Sequence, residues 1–174
     1  MTPPITQADA DALGWYHTID LGHGVVTKGM SDTIPLDGDK FPDVKGKSVL
    51  DIGAWDGYYS FESERRGARR VVALDHYVWR INFGARTEYW DQCRKEGVLP
   101  DPDREETDFF HEGTPGKAGF DFAHAALGSS VEPVVADFMT VDLDSLGSFD
   151  VVLYLGVLYH IKEPFTALRR LRRV

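Results

Sequence analysis

The sequence predicts an α/β domain with a parallel sheet and helices on both of its faces. Short apolar runs, such as residues 48–52 and 71–74, alternate along the chain with segments that have helical spacing. Strands separated by helices need crossover connections, which are right-handed and make the strands parallel. A strand that is buried on both faces is apolar over most of its length, as these runs are. Ligands of such sheets bind beyond the carboxyl ends of the strands.

The composition indicates a single globular domain without disulfides. The chain has 174 residues, of which 43% are hydrophobic. Because Cys93 is its one cysteine, we expect neither an internal disulfide nor a multi-cysteine zinc site. No apolar run is long enough to span a bilayer, and residues 1–4 lack the basic and apolar stretches of a signal peptide. We therefore expect a cytoplasmic protein that does not bind membranes.

The net charge of −9 is unevenly distributed along the chain. Residues 161–174 carry a charge of +4, and the remaining residues carry −13. A body this acidic is poorly suited to a phosphate backbone, because affinity for nucleic acid comes largely from neutralised phosphates. We interpret the basic cluster as the polar face and last turn of a helix, where cations suit the helix dipole. A local contact with nucleic acid is the less favoured alternative.

Residues 1–46 are predicted to be an N-terminal helix and a Gly/Pro-rich lead-in segment. Residues 7–16 are typical of a short helix, with Thr6 as its N-cap. The stretch 17–46 is rich in Gly, Pro and Asp, with a short strand expected around residues 25–27. The α/β domain then occupies residues 47–174.

The α/β domain is predicted to contain four strands, over residues 48–52, 71–74, 132–136 and 149–155. Helices are expected over residues 57–67, over residues 118–127, and from Pro164 to the C-terminus. Residues 80–117 form an insertion between the second and third strands. Tyr89, Trp90 and Cys93 are placed on a helix there, whereas residues 100–117 are acidic, turn-rich and expected to be mobile.

The main chemical signal is the segment that runs from Asp51 to Gly57. A strand leads into a tight turn that contains Gly53 and Gly57, and a helix follows. Glycine suits a backbone that must adopt positive φ or pass close to a ligand. Trp55 interrupts the three-glycine pattern that holds a dinucleotide pyrophosphate, so the segment is not a dinucleotide fingerprint. An acid before the turn, here Asp51, also suits a cationic methionyl group better than a phosphate. Asp75 follows 24 positions after Asp51, where an acid can hold the hydroxyls of a ribose.

These segments resemble motifs of the class I S-adenosylmethionine-dependent methyltransferases, whose Rossmann-like fold they imply. The run 48–75 resembles motifs I and II, residues 136–138 resemble the end of the third strand, and residues 149–160 resemble motif IV. Residues 17–21, 53–58 and 156–160 are most similar to the tRNA wobble-uridine (carboxy)methyltransferase-like branch. The tRNA-modifying enzymes usually have Cys-Gly where this chain has Ala54-Trp55.

The resemblance implies S-adenosylmethionine as cofactor and S-adenosylhomocysteine as product. By that resemblance, Asp75 binds the ribose with His76 and Tyr77 beside it, Asp137 and Phe138 hold the adenine, and Leu155 and Gly156 face the sulfonium. The methionyl side of the cofactor is lined by Asp51, Gly53, Ala54, Trp55 and Gly57. Because methyl transfer is an in-line displacement, the protein mainly aligns donor and acceptor and excludes water.

Several of these residues have an alternative interpretation. His160 is the candidate catalytic base, since histidine titrates near neutrality, but a turn residue packed before Pro164 is equally consistent. The spacing of His17, Asp20 and His23 matches no common metal site, so no metal is expected. The aromatic residues around the site are individually more typical of a core than of a stacking site for the acceptor.

We expect the acceptor to be a small molecule with an O- or N-nucleophile, because the acidic body disfavours tRNA. The alternatives are tRNA wobble-uridine modification, a non-catalytic cofactor-binding or interaction module, and a dinucleotide or nucleotide-sugar enzyme. The sequence ends one helix after the fourth strand, whereas the resemblance implies seven strands. The sheet is therefore expected to be truncated, with a fourth-strand edge that a homodimer could cover.

Overall fold

The computed structural model describes residues 5–31 and 40–174 as a four-stranded sheet flanked by helices. Two ranges lie outside the described residues. They are residues 1–4, on which the signal-peptide prediction depends, and residues 32–39 of the lead-in segment. The strands are β1 (Ser48–Ile52), β2 (Arg70–Asp75), β3 (Glu132–Val135) and β4 (Val151–Leu153). The helices are α1 (Gln7–Asp11), α2 (Tyr58–Arg65), α3 (Tyr77–Arg80), α4 (Phe83–Glu96), α5 (Pro102–Thr107), α6 (Ala118–Leu127) and α7 (Pro164–Leu171).

All four strands are parallel, in the spatial order β3-β2-β1-β4. Asp51 of β1 is in register with Ala73 of β2 and Leu153 of β4. The carboxyl ends of the strands therefore meet at one edge of the sheet. This arrangement confirms the predicted α/β class with a Rossmann-like sheet.

Alternate residues of the strands pack on opposite faces of the sheet, as the period of a strand requires. Val49, Val71 and Leu153 face one core cluster, together with residues of α1, α2 and α6. Leu50 and Val72 face the other cluster, to which α7 contributes Ala167. Helices therefore cover both faces, which confirms the predicted layers.

The N-terminal segment packs against the first of these faces. Trp15, Ile19, Leu21 and Val25 are buried in the same cluster as β1 and β2. Helix α1 ends at Asp11, well before the predicted residue 16, although Thr6 caps it as predicted. In place of the strand expected around residues 25–27 there is one antiparallel bridge, Asp20 to Val26.

The insertion carries more regular structure than its composition indicates. Tyr89, Trp90 and Cys93 lie on α4, as predicted. Residues 100–117 include α5, which begins after the side-chain cap of Asp101 with a proline in its first turn. The rest of the segment is fastened by a bridge between Ile81 and Phe110.

Strand β4 is shorter than the predicted 149–155. Its three residues pair with β1, and the backbone then leaves the sheet for a turn at Gly156. Asp150 lies just before β4 and binds the first residue of β1, because its Oδ2 accepts hydrogen bonds from the N–H and Oγ of Ser48. Within the described part of the chain, no strand pairs with the outer edge of β4.

None of the described helices is both long and apolar enough to cross a bilayer.

Candidate cofactor site at the carboxyl edge of the sheet

A tight turn joins β1 to α2 at the carboxyl edge and is fastened to β2. The N–H groups of Gly53 and Ala54 both donate to the carbonyl of Leu74, at 2.8 and 3.4 Å. Gly57 closes the turn by donating to the carbonyl of Ala54 at 2.7 Å. The turn therefore keeps its shape through backbone hydrogen bonds.

Two glycines of this turn occupy positions that admit no side chain without displacement. Gly53 has φ +79°, and a Cβ there would lie 2.4 Å from Cγ2 of Val157 in the turn after β4. Gly57 has φ +88°, and a Cβ there would meet the rings of Phe61 and Phe120. Positive φ and close contacts both require glycine, as the sequence predicts.

Asp51 lies at the end of β1 with a buried carboxylate, only 2% of the residue being exposed. Its Oδ2 accepts a hydrogen bond of 2.6 Å from Oγ of Ser60 on α2. Burial raises the pKa of Asp51 to about 6, the Ser60 hydrogen bond opposes that rise, and the charge of Asp75 adds to it. A carboxylate held in this way gains from a cationic ligand, because a cation offsets the cost of burial.

Asp75 ends β2 and is 3% exposed. Its Oδ2 accepts from the N–H of Trp55 at 2.9 Å, and its Oδ1 accepts from the N–H of Val78 at 3.1 Å. Burial raises the pKa of Asp75 to about 6, against the lowering effect of these backbone hydrogen bonds. Asp75 therefore ties the first turn to the start of α3, besides lying where the sequence predicts a ribose.

Trp55 adopts φ +49°, an unusual backbone conformation for a residue with a side chain. Its carbonyl accepts a 2.5 Å hydrogen bond from Nε1 of Trp79. Its ring stacks on that of Tyr16, at a centroid distance of 4.7 Å, and on that of Phe83, at 5.5 Å.

Asp56 pairs with the N-terminal segment, a contact that is not among the predicted features of the site. Oδ2 of Asp56 accepts from the N–H groups of Tyr16 and His17, at 2.9 and 2.7 Å. Nδ1 of His17 lies 2.6 Å from the other carboxylate oxygen, and both side chains are buried. The segment 17–21 was already part of the family resemblance and could have pointed to a contact with the turn. Among the described residues, no group of three His, Cys, Asp or Glu is placed to hold a metal ion.

The two residues predicted to hold the adenine, Asp137 and Phe138, follow β3, and His76 follows β2. Oδ1 of Asp137 accepts from the N–H of Met139 at 2.7 Å. Phe138 is packed in the core, 5% exposed, with its ring 5.5 Å from that of Tyr154. A contact between Phe138 and adenine therefore stays a prediction, since the ring serves the core here. His76 accepts from Arg80 at 2.9 Å, and burial, followed by the charge of Arg80, lowers the pKa of His76.

The turn after β4 carries the remaining candidates. Leu155 is 44% exposed and Gly156 has φ +73°, so both are open at the edge of the sheet. His160 lies at the end of a short 3₁₀ turn, with its ring 4.2 Å from that of Tyr159. Partial burial, and then the charge of Arg86 on α4, lowers the pKa of His160. His160 is therefore neutral near pH 7 and able to accept a proton.

A cleft of about 520 Å³ opens at this edge between the insertion and the turn after β4. Tyr77 follows β2, Met139 follows β3 and His160 follows β4, so the cleft adjoins the ends of three strands. Its other walls come from Trp90, Pro100, Pro102, Glu105, Ile161, Lys162 and Glu163. This volume is within the usual range of small-molecule sites.

Comparisons with known proteins agree with the fold and indicate the family. The model of the methyltransferase domain family matches residues 84–174, just over half of the chain. The tRNA U34 carboxymethyltransferase of Campylobacter hominis is 26% identical over 136 residues, which cover 76% of this chain and 33% of that protein. The enzyme of the same name from Pseudomonas savastanoi is 28% identical over 131 residues, covering 75% and 30%. The chain thus spans about a third of the length of these curated relatives.

Solved structures show the same fold. The N-terminal domain of EvdMO1 with SAH bound has a TM-score of 0.65 at 21% identity, covering 100% of this chain and 64% of that one. The same domain in the presence of SAH and D-fucose has a TM-score of 0.59 at 22% identity, covering 97% and 59%. The chain belongs to the methyltransferase domain family, within the class I enzymes whose methyl donor is S-adenosylmethionine.

Proposed function

We propose that this chain transfers the methyl group of S-adenosylmethionine to a small, hydroxyl-bearing acceptor. The observation that carries the proposal is the pair of buried carboxylates, Asp51 and Asp75, on either side of the glycine turn at one sheet edge. A methyl group on a sulfonium is already activated for displacement, so the protein needs chiefly to bind, align and dehydrate the reactants.

The cofactor residues form a path along the edge of the sheet. Asp51 accepts hydrogen bonds from the methionyl ammonium, while Gly53 and Gly57 let the backbone approach the ligand. Asp75 accepts from the ribose hydroxyls, and Asp137 lies at the adenine end. Ala54 and Trp55, His76 and Tyr77, and Leu155 and Gly156 line this path as the sequence predicts. The burial of both acids supports this proposal, because a ligand ammonium or hydroxyl that donates to a buried carboxylate offsets the cost of its burial.

His160 is the residue of this chain best placed to accept the proton of an acceptor. It lines the cleft, and the pKa of its imidazole is lowered by partial burial and by Arg86, so the ring is in its basic form near neutrality. A hydroxyl acceptor needs such a base, since a neutral hydroxyl is a weak nucleophile.

The placement of the basic residues supports a small acceptor over tRNA. Arg170 donates to the carbonyls of Phe138 and Val141, and Arg173 pairs with Asp144. These contacts fasten α7 and the residues just after it to the loop and 3₁₀ turn that follow β3, which supports a role of both arginines in the fold over a role in binding a polyanion. The cleft itself carries Glu105 and Glu163 beside Lys162. The related EvdMO1 domain was crystallised in the presence of D-fucose, which makes a neutral sugar our preferred acceptor class.

The second candidate is modification of wobble uridine in tRNA. It is favoured by the curated relatives, which are tRNA U34 carboxymethyltransferases, about a third of whose length this chain matches. The residues that those proteins have in addition could supply the basic surface that this chain lacks in its described part.

Calorimetry with S-adenosylmethionine, S-adenosylhomocysteine and NAD tests the cofactor. We expect the first two to bind and NAD not to bind; binding of NAD alone would contradict the proposal. Transfer of a labelled methyl group to a panel of neutral sugars, compared with total tRNA, then tests the acceptor. Submicromolar tRNA binding that falls steeply with added salt would favour the second candidate.

A further inference from the structure

Three aromatic rings from distant parts of the chain form one stack at the cofactor turn. Tyr16 of the N-terminal segment stacks on Trp55 with an interplanar angle of 30°, and Phe83 of α4 stacks on the same indole ring with an angle of 17°. The two outer rings remain 36% and 45% exposed, so the stack lies at the surface of the edge and not in the core. The N-terminal segment and helix α4 thus both contact the indole ring of Trp55.

The backbone of Trp55 is strained, and the strain is offset by specific partners. A left-handed conformation costs an ordinary residue about 1 kcal/mol or more, and glycine avoids that cost. Asp75 holds the N–H of Trp55, and Trp79 holds its carbonyl. A tryptophan at a position that suits glycine indicates that the indole ring itself is needed.

Both outer rings are carried by segments that are themselves anchored. The N–H of Tyr16 donates to Asp56 in the same turn as Trp55. Phe83 begins α4, whose N-cap Asn82 accepts from the N–H of Ala85 and donates its own N–H to Phe109. The N-terminal segment and the insertion therefore approach the cofactor turn from two sides and meet on the indole.

We propose that Trp55 is a positioning residue which, through Tyr16 and Phe83, holds the N-terminal segment and α4 over the bound cofactor. The inference rests on the proposed function, because it takes the turn from Gly53 to Gly57 as the methionyl side of the S-adenosylmethionine site. Closing both segments over the turn excludes water from the cofactor and slows its release.

The experiment compares three variants of the full chain, with S-adenosylhomocysteine as the probe. Trp55→Gly removes the ring and relieves the backbone strain, whereas Trp55→Phe keeps a ring that can stack. His23→Gly is the matched control, because His23 also has positive φ, at 54°, and lies in a loop that makes no contact with the stack. Affinity is measured by calorimetry, dissociation rate by stopped flow, and thermal stability by the melting temperature.

We expect Trp55→Gly to weaken binding about tenfold, mainly through faster dissociation, with a melting temperature close to that of the original chain. Trp55→Phe should recover most of the affinity, and His23→Gly should bind normally. Unchanged or tighter binding by Trp55→Gly would overturn the inference, and so would a loss of affinity that Trp55→Phe does not recover. Failure of the unaltered chain to bind would instead contradict the proposed function.

Discussion

Asp51 and Asp75 lie at the carboxyl ends of neighbouring parallel strands, both with almost fully buried carboxylates. Each has a pKa raised to about 6, in both cases chiefly by burial. Their contacts differ, because Asp51 accepts from a serine hydroxyl whereas Asp75 accepts from two backbone N–H groups. The two acids are therefore expected to respond differently to substitution.

Replacing Asp51 by Asn should stabilise the fold at high pH while it weakens the binding of the cofactor. Because the pKa of Asp51 is about 6 in the folded chain and its ordinary value is 3.8, the folded state holds the extra proton. Its contribution to the unfolding free energy therefore falls as pH rises from about 4 to about 6. We expect Asp51→Asn to raise the unfolding free energy by about 2 kcal/mol at pH 8, with little gain at pH 4.

Urea denaturation at the two pH values measures this difference, and calorimetry with S-adenosylhomocysteine measures the loss of affinity, expected to be about tenfold or more. Glu88→Gln, a change on helix α4, is the control and should alter neither quantity. A variant that binds normally would remove Asp51 from the site.

Replacing Asp75 by Ala should weaken the binding of S-adenosylhomocysteine by about 1.5–3 kcal/mol, the scale of hydrogen bonds to a charged group. Because Asp75 also accepts from Trp55 and Val78, the loss has a structural component. The 2′-deoxy analogue separates the two effects. The original chain should prefer the ribose ligand to the deoxy ligand, whereas Asp75→Ala should bind both equally. A preference that survives in the variant would exclude Asp75 as the ribose ligand.

The charge of Arg86 should control the titration of His160. Partial burial and, after it, this charge lower the pKa of His160 below 6.5. Arg86→Met removes the positive charge and should therefore raise the pKa, as nitrogen-detected NMR of the imidazole would show. Arg80→Met is the matched control, because Arg80 lowers the pKa of His76 instead. Identical His160 titrations in all three proteins would show that Arg86 does not act on it.

Arg170 should matter to the fold and not to nucleic acid. Its guanidinium donates to the carbonyls of Phe138 and Val141, at 2.9 and 2.5 Å. We expect Arg170→Ala to lower the unfolding free energy by about 1–3 kcal/mol, since two partly buried carbonyls lose their donor. Arg172→Ala, a change at the exposed C-cap of the same helix, is the control and should have little effect. Filter binding that loses tRNA affinity in both variants alike would instead indicate a basic nucleic-acid surface.

The order of the four strands and the acids at the strand ends can be predicted from local patterns in the sequence. Apolar runs mark β1 and β2, Gly53 and Gly57 mark the turn, and an acid lies in the last two positions of each strand. These features are local, because strand periodicity, positive φ and helix capping depend on residues that are close along the chain. The family resemblance added the cofactor and the order of its ligands.

The contacts between distant residues around that turn become visible only in the folded chain. His17 and Asp56 are separated by 39 positions, and Trp55 stacks on residues from segments before and after it. Phe138 likewise contacts a distant element, because Arg170 of α7 donates a hydrogen bond to its carbonyl. Strand β4 ends at Leu153, where its pairing with β1 ends. Such contacts depend on the path of the whole chain and on close packing, and a local pattern of residues encodes neither.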